Sequence, residues 1–164
     1  MRFRVRRSGA DGDPGRDPGT RRPVASLLAF QPEDVLRNRP SPEVWSMLEY
    51  ACHVRDVLLV QRERVLLALV GDRPSFPRMY RDERALLARY QQEPIDDVLR
   101  ELGMAANLAA RLFEGLSPEQ LDRPCIYNFP APAERDVAWL GRHTLHETKH
   151  HLGDIRSELG RSGS

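Results

Sequence analysis

The sequence predicts an all-α fold, a bundle of antiparallel helices. Three observations carry that prediction. The run from Val44 to Val70 contains neither glycine nor proline. Apolar residues recur at the helical period in 95–115 and again in 134–159. No stretch alternates apolar and polar residues as a half-buried strand does. At 164 residues the chain is long enough for one domain with a real core and too short for two ordinary ones.

Taken in order, 1–22 mixes Gly, Pro, Arg and Asp with almost no apolar content after Val5, so it cannot bury enough surface to offset the entropy of ordering. It reads as a disordered tail, with the domain spanning 23–160 and a frayed end at 161–164. The tail's seven arginines are diluted by three aspartates and lack interleaved aromatics, which argues against a nucleic-acid arm. Residues 24–38 give at best a short or broken helix, because Pro32 interrupts the apolar run. In the RPSP at 39–42, Ser41 is placed to cap the long helix and Pro42 to open it. On that helix Val44, Met47, Leu48, Ala51, Leu58 and Val65 share one face, while His53, Val57 and Val60 head a second row. Apolar residues on more than one side predict a central position in the bundle. Taken alone, His53 reads as a hydrogen-bonded core histidine.

The GDRPSFP at 71–77 ends this helix, and 79–93 is moderately helical. A further helix is predicted from Ile95 to Gly115, followed by a capping box, SPEQ at 117–120, on a short turn of helix. Residues 123–132 read as loop, whose Cys125, Tyr127, Asn128 and Phe129 suit packing and pocket lining alike. The last helix is predicted from Glu134 to Leu159, with Gly160 as its stop.

Composition narrows the function. With 25 basic and 24 acidic residues there is no net field to attract nucleic acid or anionic lipid. Two cysteines, Cys52 and Cys125, make no disulfide framework, and no segment approaches the roughly 18 apolar residues of a membrane span. A soluble, cytoplasmic protein with reduced thiols is expected.

Four of the five histidines lie in HTLHETKHHLGD at 143–154. The HETKH at 146–150 matches the H-E-x-x-H zinc-protease pattern, but Arg156 stands where an extended motif needs histidine, and 13 residues after His151 are too few for a distant third ligand. A wheel at about 100° per residue places Ala138, Gly141, Leu145, Thr148, Leu152, Ile155 and Leu159 toward the bundle. Glu147 and His151, spaced i, i+4, then lie nearest the edge of the core. His146 and His150 are the alternative pair, and His143 falls on a solvated face. Joined by His53, Glu147 and His151 form a two-histidine, one-carboxylate set suited to Zn²⁺, Ni²⁺ or Fe²⁺, with positions left open for water or substrate.

The segments RPSPEVWSMLEYACHVRDV at 39–57 and HETKHHLGDI at 146–155 resemble two motifs of the DinB-like metal-binding proteins, W-S-x-x-E-x-x-x-H and H-x-x-x-H-x-G. The resemblance spans about residues 30–159 and implies an antiparallel up-down four-helix bundle whose first helix is shortened here. It puts the family's metal ligands on His53, Glu147 and His151, with glutamate at a position where many relatives carry histidine. It implies a metal-dependent enzyme acting on a small electrophilic molecule with a low-molecular-weight thiol such as mycothiol, as an S-transferase or isomerase. The alternative is a non-catalytic, stress-related protein that binds a metal or ligand; an HExxH-type metallohydrolase ranks behind both. The shortened first helix further predicts a homodimer, which light scattering tests.

Overall fold

The structure, a computed structural model, describes residues 28–162, so the predicted tail at 1–22 and the last two residues lie outside the described region. In chain order the elements are α1 (Glu33–Arg37), α2 (Met47–Val70), β1 (Ser75–Phe76), α3 (Arg81–Leu87), a 3-10 turn (Tyr90–Gln92), α4 (Ile95–Glu114), α5 (Pro118–Leu121), β2 (Pro124–Asn128), β3 (Pro132–Asp136) and α6 (Val137–Ser162). Helices α4 and α6 both pack along α2. Among the described residues no helix is long and apolar enough to cross a membrane.

The protein is mostly but not wholly α-helical. A three-stranded sheet, ordered β1-β2-β3, packs beside the helices, with β1 parallel and β3 antiparallel to β2. The segment predicted as loop is therefore strand β2, and the last helix starts at Val137, three residues later than Glu134. The reason lies in β3, PAERD, whose Ala-Glu-Arg favours helix. As an edge strand it tolerates Pro132, and pairing with β2 overrides its intrinsic preference. Inward-facing Cys125 and Tyr127 alternate with half-buried neighbours along β2, a pattern too short to stand out.

Helix α2 starts later than predicted. Ser41 sits in a turn, its carbonyl accepting from the Val44 N–H at 3.1 Å, and the cap is Ser46. The Ser46 hydroxyl accepts from the Glu49 N–H and the Glu49 carboxylate accepts from the Ser46 N–H, a reciprocal box that satisfies two otherwise orphaned donors. The predicted box at Ser117 and Gln120 is present on α5. As expected for a central helix, α2 buries residues around most of its circumference, Met47, Leu48, Cys52, Val54 and Val65 among them. Gly160 does not stop the last helix, which continues to Ser162.

The core has two parts. Leu36, Trp45, Leu48, Cys52, Tyr90, Leu102 and Ile155 fill one, and Val65, Phe76, Cys125, Tyr127, Val137 and Leu140 fill the other. Between them α2 presents His53, Val57 and Gln61, one above another at i, i+4 and i+8.

Candidate metal centre

His53 lies two turns into α2, held by the cap at Ser46 and by Trp45, whose ring meets it edge-on at 5.1 Å. It is 3 % exposed, and its Nδ1 is buried with no hydrogen-bond partner. An imidazole nitrogen left so costs about 1–3 kcal/mol. The reading of His53 as a satisfied core histidine therefore fails.

Helix α6 supplies the opposing side. Its buried line is Leu140, Thr144, His151, Ile155 and Glu158, which is rotated from the predicted stripe, and Leu145 is exposed. Thr144 occupies the core because its hydroxyl donates to the Leu140 carbonyl at 2.7 Å and so needs no water. The rotation carries His151 from the edge of the core into it, 4 % exposed, with its ring 4.7 Å from that of His53. Tyr50 stacks on its other side at 5.6 Å.

The Nδ1 of His151 is 3.1 Å from Asp154 Oδ2. A carboxylate there favours the tautomer with the proton on Nδ1, leaving a lone pair on Nε2. Nε2 in turn lies 3.8 Å from Glu147 Oε2. Two donors each about 2.0–2.2 Å from one ion sit about 3.3 Å apart, so a small side-chain rotation brings this pair to ligand spacing. Glu147 and His53 line one cavity of about 580 Å³, which also meets Val57, Gln61, Tyr127 and His143. His151 thus lies beside both His53 and Glu147, residues of the type that ligate a divalent transition ion, although among the described residues only His150, His151 and Asp154 have ligand atoms all within 4.8 Å of one another. Asp154 was not singled out, although its i, i+3 spacing from His151 is the available signal.

Electrostatics favours neutral rings. Burial, then the neighbouring His151, then Arg81 push His53 down to about 4. Burial also lowers His151, against the opposing pull of Asp154 and Glu147. Neutral imidazole is the form that ligates. A histidine whose folded value lies below its unfolded value of about 6.5 contributes stability that is fully present above 6.5 and is lost as pH falls toward 4. The metal-free protein is therefore expected to lose about 2 kcal/mol from His53 alone between pH 7 and pH 5. Urea midpoints measured across that range in chelator check this, and His53→Leu should flatten the dependence.

The other histidines divide. His146 and His150 are exposed, with parallel rings 6.3 Å apart, and neither lines the cavity. His150, His151 and Asp154 have donor atoms within 4.8 Å of one another, but His150 faces solvent and Asp154 already engages His151. His143 is not on a solvated face. It is half-buried, stacked on Trp139 at 4.7 Å, and its Nε2 is 3.1 Å from the Tyr127 hydroxyl. The wheel missed this contact because β2, unrecognised in the sequence, brings Tyr127 to that side of α6.

The DinB superfamily pattern matches residues 19–155, which include α2 and the part of α6 that carries Glu147 and His151. The chain belongs to the DinB superfamily. Among solved structures it is similar to YfiT from Bacillus subtilis, described as "a probable metal-dependent hydrolase with an unusual four-helix bundle topology". The two share 17 % identity with a TM-score of 0.73, over 85 % of this chain and 82 % of YfiT. At that identity the likeness establishes the bundle fold, and α2, α4 and α6 are its long helices among the described residues. No curated protein sequence matches the chain.

Proposed function

We propose that this DinB-superfamily protein is a metal-dependent enzyme in which His53, Glu147 and His151 hold one divalent ion, Zn²⁺, Ni²⁺ or Fe²⁺. The observation that carries the reading is the buried, partnerless Nδ1 of His53 beside a His151 whose Nε2 is left free and aimed near Glu147. Membership of the superfamily and the description of YfiT support metal dependence. In this reading Asp154 orients His151, Trp45 and Tyr50 fix the two rings, and the cavity admits a small molecule to the open side.

We assign the nucleophile to a low-molecular-weight thiol, of which mycothiol is one example, acting on a small electrophile in transfer or isomerisation. A bound divalent ion would keep such a thiol deprotonated at neutral pH. The chain's own cysteines are unsuited to that role. Cys52 is fully buried and pushed up to about 12 by desolvation, and burial raises Cys125 as well. Any thiol nucleophile must then come from a bound molecule.

Metal analysis of the purified protein, followed by thiol-conjugation assays with and without chelator, tests this. About one ion per chain and thiol-dependent turnover that chelator abolishes are expected. Absence of stoichiometric metal overturns the proposal. Bound metal without turnover across a broad electrophile panel favours the non-catalytic, metal- or ligand-holding alternative.

A further inference from the structure

Arg64 is 5 % exposed, and among the described residues its guanidinium forms no ion pair with a carboxylate. It donates to the Tyr127 hydroxyl at 3.2 Å and to the Pro77 carbonyl, and lies over the Tyr127 ring at 5.0 Å. A buried cation with only neutral partners is costly unless an anion approaches it. Arg64 does not itself line the cavity, but its partner Tyr127 does, so an anion held by Tyr127 in that cavity would be separated from the guanidinium by one hydroxyl.

The hydrogen bonds around Tyr127 leave a donor to spare. Its oxygen accepts from Arg64 and contacts His143 Nε2 at 3.1 Å. If His143 carries its proton on Nε2, that proton goes to Tyr127 and the Tyr127 hydroxyl proton is free. If the proton is on Nδ1, Tyr127 donates to Nε2 and the His143 Nδ1–H is free. In either tautomer the Tyr127–His143 pair keeps one donor unused. A third group lines the same cavity: Gln61, 1 % exposed, has a carboxamide oxygen with no partner. Its NH₂, which makes no hydrogen bond among the described residues, is a further donor at the cavity wall.

We propose that Tyr127, His143 and Gln61, with Arg64 behind them, bind the carboxylate of a small organic acid whose apolar body lies against Val57 and Phe129. This names a substrate class for the cavity assigned above. It takes that cavity as the substrate site and asks nothing of the ion. The carboxylate supplies the negative charge Arg64 lacks and accepts the donors that Tyr127, His143 and Gln61 leave unused. An amide of the same shape accepts hydrogen bonds but brings no charge, so it is the discriminating control.

The test uses the full chain in EDTA, so that no carboxylate binds through a metal. Benzoate, phenylacetate and hexanoate are titrated against benzamide, phenylacetamide and hexanamide by calorimetry. Fluorescence is followed in parallel, since Trp139 stacks on His143. At least one acid is expected to bind about tenfold or more tightly than its amide. Tyr127→Phe, which keeps the ring, should weaken that acid by about 10–100-fold while leaving its amide nearly unchanged. Arg64→Met should abolish the preference for acid over amide. If Arg64→Met fails to fold by circular dichroism, Tyr127→Phe carries the test. Equal binding of acids and amides, undiminished acid binding by Tyr127→Phe, or no binding of any acid at millimolar concentration overturns the proposal. Because ion binding is measured separately, failure of the metal assignment and failure of this one are distinguishable.

Discussion

Replacing His53 with leucine is expected to abolish stoichiometric metal binding and, in the metal-free protein, to raise stability by about 1–3 kcal/mol. The two effects have opposite consequences because one side chain serves two states. In the metal-free state its Nδ1 is a buried polar atom without a partner, on a ring packed between Trp45 and His151. Leucine is close in volume and carries no polar atom to satisfy, so it removes that cost without opening a large cavity. In the proposed metal-bound state the same ring would be one of three ligands, and its loss would leave an incomplete set on a single helix. Elemental analysis reads the first effect and urea unfolding in chelator reads the second. A loss of stability in chelator would mean that His53 is an ordinary structural residue. His151→Leu provides the contrast. It should also lose the metal, but it forfeits the 3.1 Å contact to Asp154 and the stacking on Tyr50, so it is expected to destabilise the metal-free protein.

The parts of this centre legible in the sequence are those carried by helical periodicity. The spacing of Glu147 and His151 fixes their common face whatever the rest of the chain does, and the unbroken run to Val70 makes His53 part of a long helix. Periodicity weighted by hydropathy misled where a polar residue was satisfied within its own helix. Thr144 entered the core and Leu145 did not, which moved His151 inward and brought His143 against Trp139. The sheet was not legible, because each strand spans five residues or fewer and the stability of β3 comes from its pairing with β2 and not from its own residues. With β2 unseen, Tyr127 could be read only as packing or pocket lining, and the cavity wall it forms with His143 was not legible. The start of α2 was misplaced for a related reason. Ser41 with Pro42 looks like a cap in isolation, but Ser46 has Glu49 three residues on to complete a reciprocal box, and the better-satisfied alternative prevails.

Glu49→Ala is expected to destabilise the protein by about 3–5 kcal/mol, a large share of the roughly 5–15 kcal/mol of a typical domain. The carboxylate is 2 % exposed and joins three segments. It accepts from the Arg39 guanidinium, at 2.8 Å from Nε, in the connection after α1; from the Ser46 N–H at 2.9 Å at the start of α2; and from Gln91 Nε2 at 2.7 Å in the 3-10 turn. Burial alone would push its carboxyl up, but the hydrogen bonds from Arg39, Ser46 and Gln91 outweigh it and hold it below its ordinary value. Its contribution is therefore present above the unfolded value of about 4.3 and is lost as pH falls below that. This is lower than the range in which His53 acts, so acid unfolding should show an early loss from the histidine and a later one from the carboxylate. Alanine strands the Ser46 N–H, whereas Gln91 keeps its bond to the Ser46 hydroxyl at 3.1 Å and Arg39 is partly exposed and regains water. Glu49→Gln keeps the shape and the cap but not the charge, so a smaller loss of about 1–3 kcal/mol is expected by urea unfolding. Because His53 lies one turn beyond Glu49, loosening the start of α2 should weaken metal affinity without removing a ligand. Glu49→Gln is thus expected to bind one ion at saturation in a less stable protein, while His53→Leu gives a stable protein that binds none. That pairing separates the scaffold of the centre from its ligands.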